Sequence, residues 1–266
     1  GLKMANGTNP LGNKPFPQTR AKSAALDRAL FIEAQEYKQK IDEAEGDEEK
    51  MPKRNMRLES LVEVLEGKRV VHNHTHRHDD ILTAIRLSEE FGYKLVLQHV
   101  SEAWKVADEI AEAGVPASII TIDSPGGKLE AIDIREENGA ALEKAGALVA
   151  YHTDDGITDS RFFLRSAAIG VKQGMSRDKA LEAVTLAGAK MIERDDKVGS
   201  LKKGKHADFI ILSGDPLSVY TMVEETWIEG KKVWDKDNPD DRQYVTGGYE
   251  IYRTSQINHH EKEEGH

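Results

Sequence analysis

RVVHNHTHRHDDILTAIRLSEEFGYKLVLQH, residues 69–99, contains two short apolar runs separated by a helical stretch. RVVHNH (69–74) reads as a strand and residues 79–91 as a helix. KLVLQH (94–99) is apolar without alternation, which suits a strand buried on both faces. Strand, helix and strand in so short a span predict a right-handed βαβ unit in a parallel sheet.

The same rhythm continues downstream. A helix is predicted over 102–113, a strand over 117–123 (ASIITID), a helix over 134–145 and a strand over 147–152 (ALVAYH). Helices at 160–173 and 176–189 complete the alternation. Upstream, residues 1–20 read as a loop, 21–45 as a long surface helix, 46–56 as a charged linker and 57–66 as a short helix. After about residue 196 the pattern turns to β: DFIIL, then two short strands around Glu229-Gly230 in TMVEETWIEGKKVW. The organisation expected is a barrel portion over 1–196 with a helical insertion at about 20–66, a small β module over 197–235, and a polar tail over 236–266 ending in HHEKEEGH.

Composition sets outer bounds. With 38% hydrophobic and 32% charged residues a globular chain is expected, and no apolar run is long enough for a membrane span. A net charge of −10 argues against a general nucleic-acid binder, because phosphate recognition needs a basic surface. The chain has no cysteine, so metal ligands must come from His, Asp, Glu or Lys. It begins at Gly1 with no signal peptide read before it, and a processed, cleaved or truncated product is expected.

The histidines carry the chemistry. His72, His74, His76 and His78 alternate in HNHTHRH, and alternate residues of a strand share a face. His99 ends the next strand, and His152 and Asp154 end a later one. Metal-competent side chains thus recur at the C-terminal ends of successive parallel strands, where a (β/α) barrel builds its active site. Each has a plainer reading. A single His after a strand is more often a hydrogen-bonded structural residue, and HxHxH can be an adventitious surface. Asp154 and Asp155 can cap the following helix, and Asp79 and Asp80 can open one where acidic groups favour its dipole. Their joint occurrence with regular βα spacing is harder to assign to chance.

The segments VHNHTHRHDDILTAIRLSEEFG, LVLQHVSEAWKVADEIAEAGVP, LVAYHTDD, SRDKALEAVTLAGAKMIE and VGSLKKGKHADFIILSGDPL with VEETWIEGKKVW resemble the amidohydrolase superfamily. The likeness is to its imidazolonepropionase-like and prolidase-like branch, and it covers most of residues 68–235. It implies an α/β fold: the C-terminal part of a (β/α)8 barrel, from about strand 4 or 5 to strand 8, with part of a small β-sandwich. By the same resemblance His74 is the strand-5 metal ligand, His99 the strand-6 ligand, and Asp154 the strand-8 aspartate that touches metal and takes a proton from water. Lys3 would be the strand-4 lysine that some members carboxylate to bridge two metals. The implied cofactor is a divalent metal, zinc before others, as one or two ions.

Arg77 is a candidate for a substrate carboxylate. His72 and His76 are assigned packing or outer-layer roles, His78 the surface, and His206 the turn of the β module. The loops DSPGGKLEA (123–131) and DGITDSRF (155–162) face the substrate without naming it.

The family's first strands, with their H-x-H ligand pair, have no counterpart in 1–266. Half a barrel exposes unpaired backbone and an apolar interior, so 1–266 is expected to need a complementary N-terminal chain, and an oligomer is expected. The function implied is hydrolysis of C–N bonds in an amide, cyclic amide or peptide. Deamination, phosphotriester hydrolysis, a non-catalytic half-barrel subunit and a His-rich metal-binding protein are the alternatives. The stretch YVTGGYEIYR (244–253) resembles exported bacterial relatives, which leaves the compartment between cytoplasmic and exported.

Overall fold

The computed structural model describes residues 1–11, 17–120, 128–155 and 157–246, and these divide into two units, residues 1–195 and 196 onward. In the first, five parallel strands stand in sequence order: β1 (Leu2–Ala5), β2 (Val71–Thr75), β3 (Leu95–His99), β4 (Ala117–Ile119) and β5 (Val149–Tyr151). Sequential order with a helix in each crossover is a portion of a (β/α) barrel. Among the described residues, the outer edges of β1 and β5 have no strand partner.

The helices are α1 (Thr8–Leu11), α2 (Arg20–Ala44), α3 (Met56–Leu65), α4 (His78–Phe91), α5 (Ala107–Glu112), α6 (Asn138–Ala145), α7 (Phe163–Lys172), α8 (Arg177–Ala183) and α9 (Leu186–Met191). α2 begins at Thr19, whose side chain accepts from Lys22 N, and α3 at Asn55, which caps Arg57 and Leu58. Gly92 (φ 69°) ends α4 in the left-handed conformation that a Cβ disfavours. Packing against α4 is aromatic: Phe31 of α2 stacks on Phe91 and Tyr93 with ring centroids 5.0 and 4.8 Å apart.

Several sequence expectations need correction. Residues 2–5 form a strand, not a loop; four residues are too few to show a pattern, and it is pairing with β2 that stabilises them. The helix expected over 102–113 is a 3-10 turn (Ala103–Lys105) followed by α5, and the one over 160–173 is likewise a turn (Ser160–Phe162) followed by α7. The helix expected over 176–189 breaks at Thr185, whose hydroxyl donates back to Leu181 O at 2.6 Å and so competes with the helical ladder. Part of the expected tail forms α10 (Pro239–Thr246), with Asn238 accepting from Asp240 N, proline first and two acids in the first turn. The remainder of the tail, from 247, lies outside the described residues, as do residues 121–123 of the expected third strand.

The second unit is a three-stranded antiparallel sheet, β6 (Phe209–Leu212), β7 (Val223–Ile228) and β8 (Lys231–Asp235). Glu229 and Gly230 both have positive φ (50° and 74°), the combination a two-residue hairpin turn requires. His206 stays within this unit, its Nδ1 3.7 Å from Glu229 Oε1. Among the described residues, no helix is long and apolar enough to cross a membrane.

One half-buried group makes the fold pH-sensitive. Asp27 of α2 lines a cleft with Leu2, Met4, Phe31 and Leu61, and burial pushes its carboxyl up to about 6. Because the folded value exceeds the ordinary 3.8, the stability linked to Asp27 is full below pH 4 and declines as pH rises through 6. Asp27→Asn should therefore raise the stability of the intact protein at pH 7–8, by up to about 3 kcal/mol, and leave it near wild type at pH 4. Urea titrations at the two pH values check this; an equal effect at both would refute it.

Candidate metal centre

Strand parity organises the site. Lys3 pairs with His72, Ala5 with His74, His72 with Val96, His74 with Gln98, and Gln98 with Ser118. In a parallel sheet paired residues share a face, so Lys3, His72, His74, Gln98 and Ser118 line one side. His152, two residues beyond Ala150, which pairs with Ser118, continues that side past the end of β5. The bonds agree: Gln98 Nε2 lies 3.0 Å from His72 Nδ1, and Ser118 Oγ lies 2.8 Å from His152 Nδ1.

His99 breaks the parity. It pairs with Thr75, which belongs to the opposite face and is fully buried. Yet the His99 ring lies 4.3 Å from the His74 ring and 5.3 Å from that of His76, centroid to centroid. Backbone conformation accounts for this. His99 and Val100 both have positive φ, 72° and 37°, a region that L residues, and β-branched ones above all, rarely adopt. Leaving the strand this way re-aims the imidazole. The strained turn is held by burial of Val100 (0% exposed) and by Asn138 Nδ2, which donates to Val100 O at 2.9 Å. Such strain survives only where the surroundings fix it, and it concentrates at functional sites.

Four imidazoles therefore converge. His74 and His76 rings are 4.8 Å apart, and His152 Nε2 lies 3.0 Å from His99 Nδ1. Ser101 Oγ sits 2.7 Å from His76 Nδ1 and orients that ring. Asp154, also at positive φ (47°), brings Oδ2 to 3.9 Å from His99 Nδ1. Burial lowers every one of these imidazoles: His99 to about 2, where His152 adds to the effect, His74 to about 3, His152 to about 4, and His76 in the same direction. Neutral imidazole is the form that binds a cation.

Of the residues singled out in the sequence, His74, His99 and Asp154 are brought together. Lys3 lies one inward position before Ala5, the partner of His74, about 7 Å along the strand, and is exposed. Arg77 is engaged by Asp79 through two bonds of 3.0 Å. His78 is half-buried, with Nδ1 2.5 Å from Glu102 Oε2. Asp155 accepts from Ser160 N and Oγ and so takes the turn-forming side-chain role expected of an aspartate here. His76, assigned to packing from the sequence, stands inside the cluster. Residues 123–127 and Gly156 of the two loops expected to face the substrate lie outside the described residues.

Glu130 was missed altogether. Its carboxylate and the ring nitrogens of His74 and His76 all lie within 4.8 Å of one another, the spacing of a metal-binding group. Its oxygens are nonetheless largely committed: Oε2 accepts from Thr8 N (2.7 Å) and Arg20 Nη2 (3.1 Å), and Oε1 from Thr8 Oγ1 (2.5 Å). An ionised carboxylate has about four acceptor sites, so Glu130 serves chiefly as an anchor. Its partners are 110 and 122 residues away in the chain, a separation that no local pattern reveals.

The family model described as "Amidohydrolase family" matches residues 107–234. The crystal structure of an amidohydrolase from Thermotoga maritima MSB8 superposes with a TM-score of 0.81 at 34% identity, covering 88% of this chain and 62% of that one. This chain belongs to the amidohydrolase superfamily. Among curated relatives, the imidazolonepropionase of Bacteroides thetaiotaomicron is 31% identical over 111 residues, 40% of this chain and 25% of its own length. Amidohydrolase tasK of Hapsidospora irregularis is 26% identical over 185 residues, 68% of this chain and 19% of its own. The chain thus spans a quarter or less of these two amidohydrolase relatives and under two thirds of the Thermotoga structure.

The donor set fits the divalent cation expected of an amidohydrolase. Neutral nitrogens with a nearby carboxylate are what zinc takes, in fours, with nitrogen at about 2.0–2.1 Å. Soft thiolate ligands are absent from the chain, which contains no cysteine.

Proposed function

We propose that this chain forms the C-terminal part of a metal-dependent hydrolase acting on C–N bonds of an amide, cyclic amide or peptide. The observation that carries the reading is the strained exit of β3, which turns His99 against its strand parity to face His74, with Asp154 beside it. A cluster formed by chance would not need a buried Val100 at positive φ.

In this reading His74, His99 and Asp154 hold zinc as one or two ions, with His76 and His152 completing or orienting the set. Lys3 is the candidate for a bridging ligand. Bound there, the metal would polarise the scissile carbonyl and supply hydroxide near neutral pH. Asp154, the most exposed member (side chain 53% accessible), takes the proton from water and returns it to the leaving nitrogen. His152, held on Ser118, fixes the orientation of His99 through the contact between their rings.

Two open sheet edges favour a further element of the proposal. Strands supplied by a complementary N-terminal chain would pair with β1 and β5 and close the barrel, and the three-stranded sheet of the second unit would join others in a β-sandwich. The same need supports the second reading, a half-barrel subunit without activity of its own.

Exhaustive chelation of the intact protein, followed by stepwise return of zinc, separates the two. The hydrolase reading expects cleavage of some member of an amide, cyclic-amide and dipeptide panel to vanish on chelation and return with stoichiometric zinc. Turnover that survives chelation, or no turnover at any metal level, would refute it.

A further inference from the structure

Two members of the histidine cluster are set from one place outside the sheet. Asn138 and Gly139 open α6, and each reaches a different strand end. Asn138 is fully buried, and its Nδ2 donates to Val100 O at 2.9 Å, beside His99. That oxygen also accepts from Ala103 N at 3.0 Å, within its own turn, so Asn138 adds a bond from a separate helix. The Oδ1 atom of Asn138 is buried with no hydrogen-bond partner among the described residues. An unpartnered buried acceptor is costly, and packing alone would favour an apolar residue of the same shape. What the side chain contributes is the donor.

Gly139 acts on the other ring. A Cβ at this position would collide with Tyr151 Oη, so glycine lets the hydroxyl seat against α6. The same hydroxyl lies against Gly170 of α7 and donates to Met175 Sδ at 3.6 Å. Tyr151 is buried and directly precedes His152, whose Nε2 stands 3.0 Å from His99 Nδ1. A core packed this closely passes a displaced side chain on to its backbone.

We propose that Asn138 and Gly139 form one positioning element for the His99–His152 pair. The amide fixes the turn that aims His99, the glycine seats Tyr151 and thereby His152, and the first turn of α6 so sets the separation of the two rings. Both are positioning residues, acting through Val100 and Tyr151. The consequence for zinc rests on the metal-centre reading; the setting of the ring pair does not.

Histidine-selective nitrogen NMR of the intact, metal-free protein, together with zinc affinity by chelator competition, tests the inference. Asn138→Leu keeps the shape and removes the donor; it should shift the ring signals of His99 and His152 and leave that of His206, in the second unit, unmoved. Zinc binding should weaken by about 10- to 100-fold, the usual cost of losing a group that orients a metal ligand. Gly139→Ala should act in the same direction. Adding Tyr151→Phe to Gly139→Ala should recover wild-type signals and affinity, because removing the hydroxyl makes room for the methyl, and this pair decides the matter if Asn138→Leu fails to fold. Lost stability with unmoved ring signals, unchanged affinity at a stoichiometric site, or no rescue by Tyr151→Phe would each overturn the proposal. Ring signals that shift as expected in a protein whose wild type binds no zinc would sustain it while removing the metal-centre reading.

Discussion

Arg20→Ala should destabilise the intact protein by about 3–5 kcal/mol, the cost of removing one partner from a buried charge network. Arg20 Nε donates to Asp80 Oδ2 at 2.7 Å and Nη2 to Glu130 Oε2 at 3.1 Å, and the side chains of these two acids are 6% and 1% exposed. Asp80 is pushed upward by burial, which the guanidinium opposes, so without Arg20 the ionised form is worse still. Glu130 is held below its ordinary value despite burial, through its bonds from Thr8. A depressed carboxylate contributes stability above about pH 4.5 that is lost on acidification, whereas the raised Asp80 works in the opposite sense. The penalty of Arg20→Ala should therefore be largest at neutral pH and shrink on acidification towards pH 4 and below, as the two acids left without the guanidinium protonate in the variant. Thermal melts across that range provide the check, and a loss below about 1 kcal/mol at pH 7 would place the pair among ordinary surface bridges.

Asp154→Asn should lower kcat of the intact enzyme by about 10²–10⁴, the range for loss of a general base. Asparagine keeps the shape and can still donate or accept a hydrogen bond, but it can neither take the proton of water nor carry the negative charge. The positive φ of Asp154 adds to the case for this substitution, since Asn tolerates the left-handed region as well as Asp does. The backbone should stay in place, and melting temperature should move little. A kcat within about threefold of wild type, well inside the range expected for a residue outside the chemistry, would remove Asp154 from the reaction.

The sheet was largely legible from β2 onward, because LVLQH and ALVAYH are apolar runs of strand length between helical stretches. β1 was not, since four residues become a strand only by pairing with β2. Legibility at the site was uneven for a related reason. Alternation in HNHTHRH offers four histidines, of which the family resemblance picks His74, and Asp154 stands out by its place after a strand. The aim of His99 does not, because simple parity points it away and only the backbone reversal at 99–100 brings it back. Glu130 and Lys128 lie in a loop expected to face the substrate, but their contacts join it to Thr8, Asn9, Arg20 and His74, all distant in sequence. His76 was set aside because four alternating histidines offer no local reason to choose among them; Ser101, 25 residues on, is what orients it.

The most direct test of the metal centre is the zinc content of the intact protein and of its His74→Ala and His99→Ala variants, after equilibration with limiting zinc and removal of loosely held ions. Stoichiometric zinc in the wild type, lost from both folded variants, is the predicted result. Variants that retain the wild-type amount would mean that the two rings do not share a cation, and the centre proposed for them would have to be abandoned.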